Sequence, residues 1–202
     1  MKPFLGYYNK SVILTYVGAV SAVLGISLSF SGRMTGALLC LIVCGVSDLF
    51  DGMLARRCKR TDEEKEFGIQ IDSLTDMVSF ALFPVVLSFS LGNTQWYHVA
   101  ISSFYVLAAI TRLGFFNVSA SVSETPSCYT GLPVTFASLI VVTAFLIGKF
   151  FGITEIILPI CLLVTGVLFI LKIKITKPRG IAYVFLGLLA IALAVLVVLT
   201  GD

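Results

Sequence analysis

Long apolar runs separated by short polar segments organise this chain. Runs of about 20 residues are long enough, as helices, to cross a hydrocarbon core of roughly 30 Å. The hydrophobic pattern predicts seven such helices, over residues 12–30, 34–56, 68–91, 97–118, 131–150, 153–172 and 180–200. It therefore predicts an all-α protein, a polytopic transmembrane helix bundle of about seven helices, with residues 1–202 forming a single membrane-embedded domain.

The composition supports a membrane protein and argues against a soluble one. Of the 202 residues, 58% are hydrophobic and only 12% are charged, and the mean hydropathy is +1.03. A soluble domain of this size cannot bury so large an apolar fraction. The net charge of +3 is small, and we expect membrane lipids, and no nucleic acid, as partners.

The distribution of lysine and arginine predicts the orientation. With the N-terminus in the cytoplasm, 11 of the 14 basic residues fall on the cytoplasmic side, as the positive-inside rule requires. Arg33 and Lys149 fall outside, and Arg112 lies within the fourth predicted helix. This orientation places the polar loop 57–67 in the cytoplasm. The first eleven residues mix basic and aromatic side chains and form either a surface segment near anionic lipid head groups or a disordered tail.

Four carboxylates interrupt the apolar pattern in the second and third predicted helices. The segment 48–76 reads D-x2-D-G-x2-A-R-x11-G-x3-D-x3-D, and its acids form what we call the aspartate cluster: Asp48, Asp51, Asp72 and Asp76. Ionisable side chains within membrane helices mark functional sites by default. Spacings of three and four residues put each pair on one helix face, and a short loop makes the two helices antiparallel neighbours. All four carboxylates can then converge on one pocket near the cytoplasmic surface.

Four converging carboxylates repel one another unless cations neutralise them. Hard oxygen ligands suit Mg²⁺ or Mn²⁺, and four carboxylates suit two ions, as in phosphoryl-transfer sites. Beside the acids, Gly52, Ala55 and Gly68 predict a smooth slot for a ligand, and Arg56 at its mouth can meet phosphate oxygens. Each feature alone has a plainer explanation, since small residues also serve helix packing and Arg56 also suits a positive-inside anchor.

The pattern resembles the signature of the CDP-alcohol phosphatidyltransferase family. All eight fixed positions of that signature are present: Asp48, Asp51, Gly52, Ala55, Arg56, Gly68, Asp72 and Asp76. Three further segments, 67–80, 112–117 and 130–133, resemble the serine-accepting branch of the family. The chain departs from that branch at Phe115, where a second arginine is common, and at Val134 and Thr135 after the proline.

The resemblance implies a transferase of phospholipid biosynthesis with CDP-diacylglycerol and L-serine as substrates. It implies a donor pyrophosphate held by two metal ions, with the aspartate cluster as ligands and Asp76 also as the general base. By the same resemblance, Gly52, Ala55, Arg56 and Gly68 bind the nucleotide. It also implies a homodimer, a six-helix core to which the seventh helix is an addition, and a prokaryotic cell membrane. The loop charges place the active site on the cytoplasmic face of that membrane.

For the acceptor, we expect Arg112 to bind the serine carboxylate and Asn117 to hydrogen-bond the same substrate. An ion pair between Arg112 and an aspartate is an equal alternative on this argument. The loop 119–130 either covers the pocket or simply connects two helices. We expect Gly131, Leu132 and Pro133 to start the next helix, with Pro133 in its first turn.

Other functions stay open at the level of sequence. Glycerol-3-phosphate or inositol phosphate as the acceptor would call for more basic residues than Arg112 near the acceptor site. An archaeal lipid donor, giving archaetidylserine, leaves no readable mark in the sequence. An alternative of another class is a cation transporter with an acidic site, although such sites lie near the membrane centre and often accompany internal repeats.

Overall fold

The computed structural model describes residues 6–8, 12–57, 60–122, 128–176 and 181–201. Within these residues the chain forms seven helices, α1 (Ile13–Phe30), α2 (Met34–Arg57), α3 (Asp62–Ser90), α4 (Trp96–Val122), α5 (Ala137–Phe151), α6 (Thr154–Ile170) and α7 (Ile181–Thr200). Two three-residue strands, β1 (Cys128–Thr130) and β2 (Lys174–Thr176), pair antiparallel. The prediction of an all-α helix bundle is confirmed.

Five of the helices, α1 to α4 and α7, are long and apolar enough to cross a membrane. The other two, α5 and α6, are apolar but shorter, with 15 and 17 residues. At a rise of 1.5 Å per residue they are roughly 22 and 26 Å long. The protein is therefore a polytopic membrane protein.

The third helix begins six residues earlier than the predicted 68, at Asp62. Thr61 caps it, because its hydroxyl accepts a hydrogen bond from the Glu64 amide at 3.3 Å and the Glu64 carboxylate accepts one from the Thr61 amide at 3.0 Å. This reciprocal capping box satisfies two amide groups at the helix start. The hydrophobic pattern could not show it, because the first turn is fully polar.

We expected the fifth helix to begin at Gly131, but the segment from Gly131 to Pro133 is not helical. Gly131 has a left-handed φ of +81°, and Pro133 is extended and precedes a 3₁₀ turn over Val134–Phe136. The amides of Gly131 and Leu132 donate to the carbonyls of Ile173 and Leu168 at 2.7 and 3.1 Å. These bonds hold the segment against the end of α6, so α5 begins only at Ala137.

Small residues let α1 approach its neighbours closely. Its buried positions, spaced three or four residues apart, are Thr15, Gly18, Ala22, Gly25 and Ser29. A Cβ atom added at Gly25 would lie 2.2 Å from the Phe83 ring and 2.8 Å from Cys40 Cβ. Stripes of small residues commonly mediate helix packing in membranes, and here the stripe fixes α1 against α2 and α3.

A π-helical turn interrupts α3 directly after the second aspartate pair. It covers Met77–Leu82, between α-helical segments Asp62–Asp76 and Phe83–Ser90. The fully buried Tyr105 of α4 donates a hydrogen bond from its hydroxyl to the Phe80 carbonyl within this turn, at 2.5 Å. Such turns widen the helix and are frequent near functional sites, and this one begins at Met77, the residue that follows Asp76.

The two short strands join distant connections on one end of the bundle. Tyr129 pairs with Ile175 at the centre of the ladder, which ties the segment preceding α5 to the connection between α6 and α7. Within the loop 119–130, residues 123–127 lie outside the described residues, so the suggestion that this loop covers the pocket remains a prediction.

Most of the N-terminal segment also lies outside the described residues. Within residues 6–8, the Tyr7 ring packs on the Phe67 ring, with 5.7 Å between the ring centres.

Candidate active site

The antiparallel pair α2 and α3 brings the aspartate cluster together. One carboxylate oxygen from each of Asp48, Asp72 and Asp76 lies within 4.8 Å of the other two, and we call these residues the carboxylate trio. Asp76 is buried, and Asp48 and Asp72 are half-buried. Three negative charges this close in a low-dielectric setting repel strongly, so the trio has the donor chemistry and the spacing to hold a divalent metal ion.

Asp51 lies one helical turn beyond Asp48 and faces a third helix. Its Oδ2 accepts a hydrogen bond from the Thr15 hydroxyl of α1 at 3.2 Å, and only 8% of the residue is exposed. Asp51 is outside the trio but lines the same cavity. The fourth carboxylate is therefore positioned by α1, in contrast to Asp48.

Asp48 is held by the 3₁₀ turn that precedes α5. The Thr135 hydroxyl donates a hydrogen bond to Asp48 Oδ2 at 2.7 Å, a short distance typical of a hydroxyl bonded to a carboxylate. The two residues are 87 positions apart in sequence, and our reading of the sequence did not assign Thr135 a role. The sequence contains only an indirect indication that Thr135 matters, because Thr135 is one of the positions at which the chain departs from the serine-accepting branch.

A cavity of about 310 Å³ opens beside the aspartate cluster, between α2, α3, α4, α5 and α7. Its polar lining consists of the four aspartates together with Arg112, Thr135, Ser138 and Tyr183. The rest of the lining includes Ile42, Val46, Leu49, Leu113, Phe116, Leu139, Leu186 and Ala190. We call it the site cavity; it has a charged region and an aliphatic region, which suits a ligand with both characters.

Arg112 lines the site cavity and is only 6% exposed. Its Nε donates to the Leu132 carbonyl at 3.1 Å, and its guanidinium carbon lies 5.5 Å from the centre of the Phe116 ring. A Cβ atom at Gly131 would lie 3.3 Å from Arg112 Nε and 2.6 Å from the Phe169 carbonyl. Glycine at 131 therefore permits both the left-handed turn and the close approach of the arginine.

Asn117 lies one and a half turns along α4 from Arg112 but makes a different contact. Its Nδ2 donates to Ser73 Oγ at 2.9 Å, and the Ser73 hydroxyl lies 3.2 Å from Asn117 Oδ1. Asn117 is not among the residues that line the site cavity. In this structure it joins α4 to α3 beside Asp72, and its role toward an acceptor stays a prediction.

Of the four predicted nucleotide-binding residues, the structure describes the surroundings of Gly52 and Gly68. Gly52 is exposed and lines the site cavity, with no atom within 4 Å of an added Cβ. Gly68 does not line the cavity, and an added Cβ there would lie 3.5 Å from a guanidinium nitrogen of Arg60. The side chains of Ala55 and Arg56 lie outside the described residues, so the slot they were expected to form stays a prediction.

Comparison with known proteins places this arrangement in a family. The sequence model for CDP-alcohol phosphatidyltransferases matches residues 8–200. The chain belongs to this family. The resemblance found in the signature residues is thereby confirmed, and a family of transferases favours an enzyme over the cation transporter.

Relatives from both archaea and bacteria resemble the chain over most of its length. It is 28% identical over 169 residues to archaetidylserine synthase of Methanothermobacter thermautotrophicus, covering 83% of this chain and 70% of that protein. It is 29% identical over 154 residues to CDP-diacylglycerol–serine O-phosphatidyltransferase of Helicobacter pylori, covering 73% and 64%. A protein of the same name from Saccharomyces cerevisiae is 38% identical over 74 residues, covering 37% of this chain and 26% of the relative.

Proposed function

We propose that this CDP-alcohol phosphatidyltransferase transfers a phosphatidyl group from a CDP-linked lipid to the hydroxyl of L-serine, forming phosphatidylserine and CMP. The observation that carries the proposal is the carboxylate trio, which lies in the wall of one cavity together with a buried arginine. The names of the relatives from Methanothermobacter and Helicobacter support serine as the acceptor.

In this proposal the aspartate cluster holds two divalent ions, Mg²⁺ or Mn²⁺. Asp48, Asp72 and Asp76 supply oxygens from three positions on two helices, and Asp51 adds a fourth carboxylate one turn away. When bound, such ions neutralise the pyrophosphate and polarise the phosphorus under attack. The hydroxyls of Thr15 and Thr135 each orient one carboxylate, as outer partners of metal ligands commonly do.

We assign Asp76 as the general base. A bond forms between the serine Oγ and the phosphorus that carries the diacylglycerol, and the bond from that phosphorus to the bridging pyrophosphate oxygen breaks. The serine hydroxyl proton passes to the Asp76 carboxylate, and CMP leaves with the bridging oxygen and its electron pair. Placing a carboxylate within reach of the nucleophile is the usual requirement for this role, and Asp76 is a buried residue in the wall of the site cavity.

The nucleotide is assigned to the open side of the cavity near Gly52. The absence of a side chain there leaves space beside the aspartate cluster, which suits the approach of a flat base or a phosphate. Ala55, Arg56 and Gly68 are included in this assignment on the strength of the family signature, with Arg56 meeting phosphate oxygens.

Arg112 is assigned to the serine carboxylate. It is the described lysine or arginine that lines the site cavity, and one cation matches an amino-acid acceptor better than glycerol-3-phosphate or inositol phosphate. Its Nε is engaged by the Leu132 carbonyl, which fixes the plane of the guanidinium. Asn117 belongs to the same proposal through Ser73, as a residue that holds α4 against α3 near the acceptor site.

The remaining assignments concern the whole protein. Loop charge supports an active site that faces the cytoplasm of a prokaryotic cell. A single domain over residues 1–202 is supported by the family match over residues 8–200. The homodimer rests on the family resemblance alone. An archaeal lipid donor, giving archaetidylserine, is a second candidate that the Methanothermobacter relative favours.

Release of CMP by the purified protein tests the proposal. The reaction contains CDP-diacylglycerol, Mg²⁺ or Mn²⁺, and either L-serine, glycerol-3-phosphate or inositol phosphate. We expect release that depends on serine and on the metal, and that falls at least a hundredfold in Asp76→Asn, since positioned general bases contribute about 10²–10⁴-fold. Release with another acceptor would contradict the assignment of Arg112, and no release with any acceptor would contradict the function.

The matched control is Asp62→Asn, at an exposed carboxylate in the first turn of α3. It removes the same charge from the same helix, but far from the cavity, and we expect activity within twofold of the wild type. An equal loss in both variants would show that net charge on α3, rather than the position of Asp76, matters.

A further inference from the structure

The last helix contributes to the site cavity along one of its faces. Ala190, Leu193 and Val197 of α7 are buried, at 4%, 5% and 1% exposure, where the helix packs against α2 and α5. Nearer the start of α7, Tyr183 and Leu186 are half-buried and line the cavity together with Ala190. The helix is therefore packed at Leu193 and Val197, and its cavity-lining residues end at Ala190.

Beyond Tyr183, the α7 residues that line the cavity are aliphatic. On α2 the lining runs from Asp48 back to Val46 and Ile42, and Ile42 is six residues before Asp48. That is roughly 9 Å along the helix axis at 1.5 Å per residue. The same cavity is lined by Leu139 of α5 and by Leu186 and Ala190 of α7. A ligand anchored at the carboxylate trio would thus place its next 9 Å among hydrocarbon side chains.

We propose that this aliphatic region binds the first part of one hydrocarbon chain of the donor lipid, and that Leu186 and Ala190 of α7 determine which chains it accepts. The inference rests on the proposed function, because it requires a lipid whose phosphate is held at the aspartate cluster. An amino acid such as serine would leave its polar groups unpaired among these side chains, at a cost in free energy. A hydrocarbon chain gains about 0.8 kcal/mol for each buried CH₂.

The two residues have distinct parts. Leu186 lies beside the cavity about one turn from Ala190 and sets its width, so its removal should admit bulkier, methyl-branched isoprenoid chains. Ala190 is the last α7 residue that lines the cavity before the helix packs, and it sets the depth. Because Ala190 lines the cavity, a leucine at this position would extend into it.

The test compares donors that share the CDP-glycerol head and differ in their chains. Wild type, Leu186→Ala and Ala190→Leu are assayed for serine-dependent CMP release with dihexanoyl, dioleoyl and isoprenoid-ether donors. We expect Ala190→Leu to lower kcat/KM for dioleoyl relative to dihexanoyl donors about tenfold, the scale of one added methylene in a substrate pocket. We expect Leu186→Ala to raise the isoprenoid-to-dioleoyl ratio about tenfold, with KM for serine unchanged.

Matched controls lie on the exposed face of the same helix. Leu188→Ala and Ala192→Leu make the same substitutions at exposed positions of α7, and they should leave every donor ratio within twofold of the wild type. Uniform effects on all donors in the test variants, or equal shifts in the controls, would overturn the inference. If Ala190→Leu does not fold, as judged by gel filtration, the isoprenoid-to-dioleoyl ratio of Leu186→Ala tests the inference on its own, and an unchanged ratio would overturn it.

The outcome separates this inference from the function on which it rests. If the wild type releases CMP with serine but the donor ratios do not change in the variants, the function stands and the role of α7 is wrong. If the wild type releases no CMP with any donor or acceptor, the proposed function fails and the inference fails with it.

Discussion

At the scale of single residues, the site depends on hydroxyl groups that orient its carboxylates. Thr15 from α1 bonds Asp51, and Thr135 from the 3₁₀ turn bonds Asp48. Each bond engages Oδ2 of its carboxylate. The aspartates supply the charge, and residues from two other parts of the chain determine where that charge points.

Replacing Thr135 by valine should weaken metal binding while preserving shape. Valine removes the hydroxyl that donates to Asp48 at 2.7 Å, and hydrogen bonds to charged groups are worth roughly 1.5–3 kcal/mol. We expect kcat/KM to fall about tenfold or more, and the metal concentration for half-maximal activity to rise. A metal titration of CMP release, read for both parameters, measures the effect.

Two further variants test whether the hydroxyl is responsible. Thr135→Ser keeps it and should restore most of the metal affinity. Thr143→Val makes the same change at an exposed position of α5, where the hydroxyl bonds the Leu139 carbonyl, and should behave as the wild type. A metal dependence in Thr135→Val equal to that of the wild type would refute a positioning role for Thr135.

At the scale of elements, α3 carries the largest departure from a regular helix. Its π-helical turn follows Asp76 directly and changes the direction in which the rest of the helix presents its side chains. The buried Tyr105 of α4 holds this turn through the Phe80 carbonyl. Because Asp72 and Asp76 lie just before the turn, the α4 contact helps to fix their position relative to α2.

Replacing Tyr105 by phenylalanine should therefore lower stability. The change leaves the buried Phe80 carbonyl without the hydroxyl that now donates to it, and an unsatisfied buried group costs about 1–3 kcal/mol. We expect a lower Tm in detergent. We also expect some loss of activity, through displacement of Asp76, that is smaller than the loss in Asp76→Asn. Tyr97→Phe, near the exposed start of α4, is the control, and equal Tm values for the two variants would contradict the role of this bond.

At the scale of the whole molecule, the helices assemble so that one end of the bundle carries the chemistry. The carboxylate trio lies on α2 and α3, whose connection is rich in lysine and arginine. Strand β2 lies in the connection between α6 and α7, which is also rich in them. The three-residue strands bring the start of α5 to the end of α6, and this contact carries Thr135 to Asp48. The α7 helix closes the cavity on the remaining side.

The orientation of the bundle can be tested by labelling single cysteines in intact cells. Single cysteines are introduced into an active variant that lacks the native cysteines. Glu63→Cys lies in the first turn of α3, Thr94→Cys lies between α3 and α4, and both positions are exposed. The positive-inside rule predicts that a membrane-impermeant maleimide labels Thr94→Cys in intact cells and labels Glu63→Cys only after lysis. The opposite pattern would place the active site outside the cytoplasm.

The sequence alone determined the helix number, the membrane environment and the carboxylates, because hydrophobic length and buried charge leave a direct trace in the order of residues. It also showed that Asp48 and Asp51 share a face, and likewise Asp72 and Asp76, because helical periodicity is local. It did not show the early start of α3 at Asp62, which depends on a capping box at Thr61 within a polar segment, or the extended backbone at Pro133.

Only the tertiary structure decided how those parts meet. The bond from Thr135 to Asp48 spans 87 residues, the π-helical turn is held by Tyr105 from the next helix, and the cavity needs side chains from five helices. None of these has a local pattern, because each arises from packing between segments that are distant in the chain. The sequence specified the acidic chemistry, and packing determined the shape of the space beside it.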